Sequence, residues 1–308
     1  MPDKKPLFSI AATTYNHGDY IKATLKSVLE QTIQDFELIL VDDGSTDNTK
    51  EEVLSIKDER IKYFYQAPTG LPACARNRSI ERTCGRYIAL LDGDDIWSQE
   101  KLERSLGVFK ENPETDILCH DVNVTNEKAN SKRRVRFGPY PKDLYSKLLW
   151  EGYCFGISMS VLKKEVFFKY NFWFDEDKRL FAVEDYEFFL RLAKSQKFNF
   201  YYLPEALAEH VVSEKGAILN NVDRNAKNLL YLFDTHIKKH NYDTPDKKER
   251  IAKRRSSLIR SIALLYNYRR NYSKSRLWFI KAIKEYPFNI NNYLGAILSS
   301  LKIRVGTI

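Results

Sequence analysis

The chain has 308 residues, of which 43% are hydrophobic and 30% are charged, so it can bury a sizeable core and is not globally disordered. Its mean hydropathy is -0.48, and it has no run of roughly 20 uncharged apolar residues. The sequence therefore predicts no membrane-spanning helix. The first six residues lead into only a short apolar stretch, so no secretory signal is expected. The four cysteines form no C-x-x-C pair, which favours reduced thiols in a cytoplasmic protein; they are Cys74, Cys84, Cys119 and Cys154.

The net charge of +9 is unevenly distributed along the chain. Residues 1–215 contain 31 Lys and Arg against 35 Asp and Glu, a balance of −4, whereas residues 216–308 contain 19 against 6, a balance of +13. This change predicts a boundary near residue 215. A basic tail can face nucleic acid, anionic lipid or phosphorylated ligands, and it can equally be a solvated helix surface.

Strands alternate with helices along the first 110 residues. A buried strand is predicted at 7–13 and further strands at 36–41, 61–65 and 87–91. Helices are predicted at 19–31, from a cap at Ser45 or Thr46 to about residue 56, and at 72–83. This alternation indicates an α/β fold with a Rossmann-like, doubly wound, mostly parallel sheet. In such a sheet, the ligand site lies beyond the carboxyl ends of the strands.

The pattern is less regular after residue 116. Strands are predicted at 117–120, 155–160 and 198–203, an exposed basic loop at 131–136, and a helix beginning at Glu184. From about residue 216 the chain is predicted to be helical, with helices at 250–268, 272–286 and 291–301.

Three of the predicted strands end in polar residues, which places candidate site residues at one edge of the sheet. These residues are Thr13 to Asn16, Asp42 with Asp43, and Asp92 to Asp95. The sequence contains no glycine-rich phosphate-binding motif of the G-x-G-x-x-G or G-x-x-x-x-G-K type. The phosphates of a bound nucleotide would therefore need another counter-charge, and a divalent cation held by carboxylates is the obvious one.

The order and spacing of these motifs resemble family 2 of the inverting GT-A glycosyltransferases. The matching segments, within about residues 6–210, are 8–16, 38–47, 70–77, 85–95 and 184–186. Each motif alone is weak, but their order together is specific. Together with the change of charge near residue 215, the resemblance predicts a GT-A catalytic domain at residues 1–215, followed by the basic α-helical region at 216–308. It also implies a nucleotide-sugar donor, usually a UDP-sugar, and metal-dependent transfer with inversion.

The resemblance assigns several residues to the nucleotide. It implies that Asp43 accepts the uracil imide N–H, which suits a group that can only accept hydrogen bonds. It places Thr13 and Tyr15 around the base and ribose, and it directs Arg76 to the base and diphosphate. Each residue also has a simpler interpretation. Asp43 can be a solvated turn or helix-capping aspartate, Tyr15 an ordinary half-buried aromatic residue, and Arg76 a surface cation.

Asp92 and Asp94 form a D-x-D motif. A metal ion neutralises a diphosphate leaving group as Lewis acid and template, so Asp94 is the predicted ligand of Mn²⁺ or Mg²⁺. Asp92 is predicted to contact the ribose hydroxyls, directly or through the ion. Asp95 is predicted to hydrogen-bond the donor sugar, and Gly93 to permit close backbone approach. The alternative is a solvated acidic turn.

Asp185 is the predicted general base, because direct displacement at the anomeric carbon needs a carboxylate that accepts the proton of the acceptor hydroxyl. Glu184 is predicted to orient the acceptor or the donor sugar. Two acids at a helix N-terminus are also favourable for the helix itself, and both interpretations can hold. His210 and His17 are both candidates for contact with the metal or the diphosphate, and a hydrogen-bonding loop histidine is an equal alternative.

These observations predict an enzyme that moves a hexosyl or N-acetylhexosaminyl group from a UDP-sugar to a hydroxyl of a glycan or lipid-linked oligosaccharide. The expected role is cell-surface polysaccharide biosynthesis in the cytoplasm, peripherally at the inner face of the cell membrane. The basic helices are predicted to contact an anionic membrane surface, form a homodimer or cover the catalytic domain. Two alternatives stay open: a non-catalytic nucleotide-sugar-binding protein and a membrane- or nucleic-acid-docking protein. Since the sequence lacks nucleic-acid-binding signatures, no nucleic acid partner is expected.

Overall fold

The computed structural model describes residues 5–126, 131–152, 155–211 and 222–305. The chain divides into two compact units. Unit 1 consists of Met1–Leu148, Gly152–Lys178 and Glu184–Ser213, and unit 2 of Leu149–Glu151, Arg179–Val183 and Glu214–Ile308. Unit 2 therefore includes two short segments that precede the change of charge at residue 215.

Unit 1 is built on one sheet. Within the described ranges its strands are β1 (Phe8–Thr14), β2 (Phe36–Asp42), β3 (Ile61–Tyr65), β4 (Tyr87–Asp92), β5 (Asp95–Trp97), β6 (Ile117–Asn126), β7 (Ser131–Val135), β8 (Ser160–Lys163) and β9 (Phe200–Val211). Their order is β3-β2-β1-β4-β8-β6-β9-β5, and β7 pairs with β6. The strands β3, β2, β1 and β4 are parallel neighbours, whereas β5, β7 and β8 pair antiparallel with their neighbours.

The parallel half of the sheet forms from near-continuous apolar runs. All seven residues of β1 and all seven of β2 are buried, a pattern typical of strands that are covered on both faces. The edge strand β3 is only partly buried. The predicted α/β class with a Rossmann-like, mostly parallel sheet is confirmed.

Helices follow the strands through the first 195 residues. They are α1 (Ile21–Leu29), α2 (Thr49–Ser55), α3 (Pro72–Glu81), α4 (Lys101–Glu111), α5 (Leu144–Trp150), α6 (Glu165–Phe168) and α7 (Glu184–Ser195). Helix α3 begins with proline, whose missing N–H costs nothing at the first helical position. The first turn of α7 carries three acids, where the helix dipole favours negative charge.

Two predictions in the middle of the chain are wrong. Residues 131–136, predicted as a loop, contain the strand β7. Its side chains are mostly basic and exposed, so the sequence lacks the alternation of apolar and polar residues that predicts a strand. The strand predicted at 155–160 is a short 3₁₀ turn, Ile157–Met159, followed by β8. A short apolar run alone does not distinguish these forms. In addition, β9 continues to Val211, well beyond the predicted end at residue 203.

Unit 2 is helical in its described part. Its helices are α8 (Val222–Lys239), α9 (Lys248–Tyr268), α10 (Tyr272–Glu285) and α11 (Ile290–Ser300). The buried side chains of Val222, Ala226, Ile262 and Tyr266 form one apolar cluster between α8 and α9.

The short segment 149–151 is held within unit 2 by a buried arginine. Arg254 Nε donates to the carbonyl oxygen of Leu149 at 3.1 Å, and Arg254 Nη1 donates to that of Glu151 at 2.9 Å. Since a buried guanidinium needs partners for its N–H groups, these carbonyls stabilise its position.

Helices α10 and α11 pack antiparallel. Ser275 Oγ lies 2.9 Å from Ser299 Oγ, and the ring of Phe279 lies against Gly295 one turn further along. A Cβ atom on Gly295 would lie 2.3 Å from atoms of that ring. Glycine therefore permits the close approach of the two helices.

No helix in the described ranges is both long enough and apolar enough to cross a membrane. Cys74, Cys84 and Cys119 are free thiols, whereas Cys154 and the predicted boundary at residue 215 lie outside the described residues.

We expect Gly295→Ala to lower the free energy of unfolding by about 1–3 kcal/mol, because the added methyl group overpacks against Phe279. Urea denaturation followed by circular dichroism measures this change. The matched control is Gly107→Ala in α4, where no heavy atom lies within 4 Å of the Cβ position. That variant is expected to gain up to about 1 kcal/mol, because alanine is the better helix former. If the two substitutions changed the free energy of unfolding equally, the close packing of Gly295 against Phe279 would be contradicted.

Candidate active site

Arg76 connects two acidic motifs that are far apart in the sequence. Its side chain is 4% exposed; Nη2 lies 3.0 Å from Asp92 Oδ1, and Nη1 lies 3.3 Å from Glu184 Oε1. The guanidinium also lies over the ring of Phe174, 5.0 Å from its centroid. Burial opposes the charge of Arg76, but attraction to Asp92, Glu184 and Asp185 prevails and raises its pKa. The D-x-D motif and the Glu184–Asp185 pair therefore lie at one site.

Asp92 is held from three sides at the carboxyl end of β4. Its N–H donates to Ser158 Oγ at 2.9 Å. Its Oδ1 accepts from Thr13 Oγ1 at 3.3 Å, in addition to the bond from Arg76. Thr13 lies opposite Asp92 in the register of β1 and β4, so the sheet itself brings this predicted site residue to the D-x-D motif.

The loops after β1 and β2 are joined by side-chain hydrogen bonds. Asn16, at φ 53°, donates its N–H to Ser45 Oγ at 2.8 Å, and its Oδ1 accepts from the Thr46 N–H at 2.8 Å. Tyr15, next to this junction, is 52% exposed. Its ring therefore has an open face at the edge of the sheet where ligands bind.

Asp43 is buried and holds the segment after β3. Its Oδ1 accepts from Gln66 Nε2 at 2.5 Å and from the Thr69 N–H at 3.0 Å, and both carboxylate oxygens lie 2.9 Å from Thr69 Oγ1. No local pattern in the sequence indicates this anchoring role, because the contacts join separate loops. Contact of Asp43 with a base stays a prediction.

Gly93 lets the turn after β4 contact the loop after β1. A Cβ atom here would lie 2.8 Å from Thr14 Oγ1 and 3.0 Å from His17 Nδ1. The Gly93 N–H donates to the Thr13 carbonyl oxygen at 2.8 Å. Any larger residue at this position would force Thr14 or His17 to move.

Two histidines flank the rest of the D-x-D segment. His210 lies opposite Asp95 in the register of β5 and β9, with Nδ1 2.7 Å from Asp95 Oδ1. This hydrogen bond outweighs burial and raises the pKa of His210 to about 9. His17 Nε2 lies 3.9 Å from Asp94 Oδ2. Burial raises the pKa of Asp94, the neighbouring charges of Asp95 and Asp92 add to this, and His17 opposes it.

The donor set fits a hard divalent cation. Carboxylate oxygens are the ligands that Mg²⁺ and Mn²⁺ prefer, and a cation would relieve the repulsion that Asp94 experiences. His17 Nδ1 is buried without a hydrogen-bond partner in the described part of the chain. The same ranges contain no preassembled group of three metal-binding side chains. His210 would have to lose its proton to ligate a metal, and in its charged form it suits an anionic phosphate.

Glu184 begins α7 in a buried position. Burial raises its pKa to about 7; Arg76 opposes this shift and Asp185 adds to it. Its Oε2 has no hydrogen-bond partner among the described residues. Burial thus favours the neutral carboxyl group, which can donate a hydrogen bond, whereas Arg76 favours the carboxylate, which accepts. The half-buried Asp185 follows, and its Oδ1 accepts the N–H of Tyr186 at 2.7 Å.

A buried network behind the D-x-D segment was missed by the sequence analysis. Lys101 is fully buried; its Nζ lies 3.0 Å from His120 Nε2, donates to the Ser158 carbonyl oxygen and lies 4.1 Å from the centroid of the Trp97 ring. His120 Nδ1 donates to the carbonyl oxygen of Asp121 at 2.7 Å. Because Nδ1 carries the proton, Nε2 accepts from Lys101.

Ser158 connects this network to the acidic motif. Its carbonyl oxygen accepts from Lys101 and from Trp97 Nε1, while its hydroxyl accepts the N–H of Asp92. A lysine at the start of a helix is ordinarily a solvated cation. The one sequence feature that could have indicated the burial of Lys101 is the aromatic residue Trp97, four positions earlier.

The family model described as "Glycosyl transferase family 2" matches residues 9–170, and the chain belongs to this family. The resemblance found in the sequence is thereby confirmed.

Two curated relatives each match less than half of the chain. TuaG of Bacillus subtilis, whose name proposes a role in teichuronic acid biosynthesis, is 43% identical over 36% of this chain and 45% of its own length. WfgD of Escherichia coli, a "UDP-Glc:alpha-D-GlcNAc-diphosphoundecaprenol beta-1,3-glucosyltransferase", is 36% identical over 46% of this chain and 55% of its own. The chain thus spans about half the length of these two relatives.

Solved structures match almost the whole chain at low identity. TarS 1-349 of S. aureus in complex with UDP-GlcNAc gives a TM-score of 0.59 at 17% identity, covering 97% of this chain and 93% of its own. The mannosyltransferase PcManGT of Pyrobaculum calidifontis, in complex with GDP-Man and Mn²⁺, gives a TM-score of 0.58 at 17% identity. That match covers 97% of this chain and 81% of PcManGT. These likenesses show the fold.

We expect Arg76→Met to lower the free energy of unfolding by about 3–5 kcal/mol, because Asp92 and Glu184 lose their buried counter-charge. The pKa of Glu184, which is about 7 in the wild type, should rise because the cation that opposes the effect of burial is gone. Urea denaturation measures the first effect and NMR titration of the Glu184 carboxyl carbon the second. Arg78→Met, an exposed arginine in the same helix, is the control and should change stability by less than about 0.5 kcal/mol. An unchanged Glu184 titration would contradict the bridge.

Lys101 should make stability depend on pH. Burial lowers its pKa from 10.5 to about 7. Between these values the unfolded chain binds a proton at Lys101 that the folded chain lacks, so folding becomes more favourable as the pH rises. The unfolding free energy of the wild type minus that of Lys101→Met should therefore rise from about pH 7 to about pH 10, by up to about 1.4 kcal/mol per pH unit.

Urea denaturation at pH 7, 8.5 and 10 measures this difference. The control Lys110→Met removes an exposed lysine from the same helix and should stay within about 0.5 kcal/mol of the wild type at each pH. A difference for Lys101→Met that does not change with pH would refute the prediction.

Proposed function

We propose that the chain is an inverting glycosyltransferase that moves a sugar from a UDP-sugar to a hydroxyl of a glycan or lipid-linked oligosaccharide. The observation that carries the proposal is the Arg76 bridge between Asp92 and Glu184. It brings a carboxylate cluster suited to a nucleotide diphosphate beside a carboxylate pair suited to proton transfer. Transfer with a general base needs both groups at one site.

In the proposed reaction, Asp185 accepts the proton of the acceptor hydroxyl while the acceptor oxygen attacks the anomeric carbon. The new C–O bond forms on the face opposite the breaking bond to the diphosphate, which leaves with its electron pair. The configuration at the anomeric carbon is therefore inverted. Glu184 is proposed to orient the acceptor or donor sugar, since its buried carboxyl group can donate or accept a hydrogen bond.

The donor is proposed to lie along the polar ends of β1, β2 and β4. Tyr15 offers an open ring to the base, Thr13 and Asp43 lie at the same strand ends, and Asp95 would hydrogen-bond the donor sugar. These roles are supported by positions at the carboxyl edge of the parallel strands.

Charge compensation at the diphosphate is proposed to come from several groups. Asp94, with Asp92, would hold Mn²⁺ or Mg²⁺, which supplies Lewis-acid neutralisation of the leaving diphosphate. The charged His210 would donate a hydrogen bond to a phosphate oxygen through Nε2, since its Nδ1 is bonded to Asp95. Because Arg76 already pairs with two carboxylates, we propose that it positions them rather than reaching the base or diphosphate.

The relatives support the substrate class. WfgD is named for a UDP-Glc donor and a diphosphoundecaprenol-linked acceptor, and TarS was solved with UDP-GlcNAc. TuaG is named for teichuronic acid biosynthesis, and PcManGT was solved with Mn²⁺. We therefore propose a role in cell-surface polysaccharide biosynthesis, at the cytoplasmic face of the membrane where a lipid-linked acceptor would be presented.

A donor-hydrolysis screen across nucleotide sugars, with and without Mn²⁺, tests the proposal. We expect one UDP-sugar to be turned over only with the metal. Asp94→Ala should weaken donor binding in calorimetry and abolish turnover. Asp185→Asn should keep donor binding and lower transfer to an acceptor by about 10²–10⁴-fold.

The matched control is Asp243→Asn, which changes an exposed aspartate of unit 2 and should leave both measurements unchanged. Metal-independent turnover that survives in both Asp94→Ala and Asp185→Asn would defeat the mechanism. Donor binding without turnover of any nucleotide sugar would instead indicate a non-catalytic nucleotide-sugar-binding protein.

A further inference from the structure

Helix α11 exposes its apolar side. Four aliphatic side chains at the spacing of a single helical face, Ile290, Leu294, Ile297 and Leu301, are each at least half exposed. Phe288, in the turn that precedes the helix, is 81% exposed. We call these five residues the α11 apolar face. A contiguous apolar surface of this kind marks an interaction site in a folded protein.

The opposite side of α11 is small and polar, and it is the buried side. Asn292, Gly295 and Ser299 face α10 and α9. Asn292 Nδ2 donates to Ser256 Oγ at 3.0 Å, and Ser299 Oγ lies 2.9 Å from Ser275 Oγ. Rolling the helix to bury its apolar side would leave these buried polar groups without partners. The exposure of the apolar face is therefore built into the packing.

The surroundings of this face are strongly basic. Residues 271–305 contain six Lys and Arg and a single acid, Glu285, which is paired with Arg255 at 2.9 Å. Lys302 and Arg304 directly follow the helix and are exposed, as are Lys281 and Lys284 in α10. A second copy of the same surface would bring these like charges together, which opposes self-association.

We infer that the α11 apolar face docks on the anionic surface of a lipid bilayer. The helix would lie in the plane of the interface, with its aliphatic side chains and Phe288 among the upper acyl chains and the basic residues on the lipid phosphates. Anionic lipid is the partner that matches both the apolar face and its basic border. The inference does not depend on the proposed sugar transfer.

Co-sedimentation of the full chain with vesicles tests the inference. The probes are vesicles of phosphatidylglycerol with phosphatidylcholine, and of phosphatidylcholine alone. We expect binding to the anionic vesicles that weakens as salt is raised, and at least about ten-fold weaker binding to the neutral ones. The double variant Leu294→Ser/Ile297→Ser should weaken binding by about thirty-fold or more. Lys302→Gln/Arg304→Gln should weaken it by roughly thirty-fold.

The matched control is Leu54→Ser/Tyr65→Ser, which removes two exposed apolar side chains from unit 1 and should bind vesicles as the wild type does. Circular dichroism checks that each variant is folded. Donor hydrolysis, measured on the same variants without vesicles, should be unchanged, so that failure of docking and failure of sugar transfer are distinguishable.

Three outcomes would overturn the inference. The first is equal binding to both vesicle types, and the second is no effect of the α11 substitutions on binding. The third is a chain that does not bind vesicles but forms a dimer in light scattering, which Leu294→Ser/Ile297→Ser converts to a monomer. The last result would assign the face to a second copy of the chain.

Discussion

The buried guanidinium of Arg76 allows a carboxylate-rich site to exist inside a folded domain. Asp92 and Glu184 would repel one another and lose solvation if they were gathered without a cation. Arg76 supplies one positive charge to both, and the aromatic ring of Phe174 shields it from water. The compensation is incomplete, because burial still holds the pKa of Glu184 near 7 and raises that of Asp94. The remaining unbalanced negative charge is what a divalent cation would neutralise.

The acidic turn is also supported from behind. Ser158 accepts the Asp92 N–H on one side and bonds to Lys101 and Trp97 on the other. Lys101 in turn bonds to a histidine whose own proton is held by a backbone carbonyl. Each polar group in this chain of contacts has a partner, so the network rigidifies the turn. The burial of Lys101 nevertheless opposes folding below about pH 10, as its lowered pKa shows. The carboxylates of this turn repel one another and would otherwise move apart. A rigid turn holds them at a fixed distance from a ligand.

Much of unit 1 could be predicted from the sequence, because apolar runs, turn residues and acidic motifs all point to the same sheet edge. The parallel strands β1 to β4 fall within one or two residues of their predicted bounds. What could not be predicted depends on long-range pairing. The basic strand β7 has no apolar period, and β5 is only three residues long, so neither carries a local signal. The second role of Asp43, as an anchor for Thr69, likewise depends on a contact between separate loops.

Strand β9 carries a constraint on how this chain can vary. It pairs with β6 along one edge and with β5 along the other, and His210 faces Asp95 only in that register. Since side chains alternate between the two faces of a strand, one residue inserted between Ala208 and His210, where the pairing with β5 is regular, would turn the imidazole to the opposite face of the sheet. The turn between α7 and β9 can lengthen without this effect. Length changes among homologous chains should therefore accumulate before Phe200 and be rare between Ala208 and the histidine.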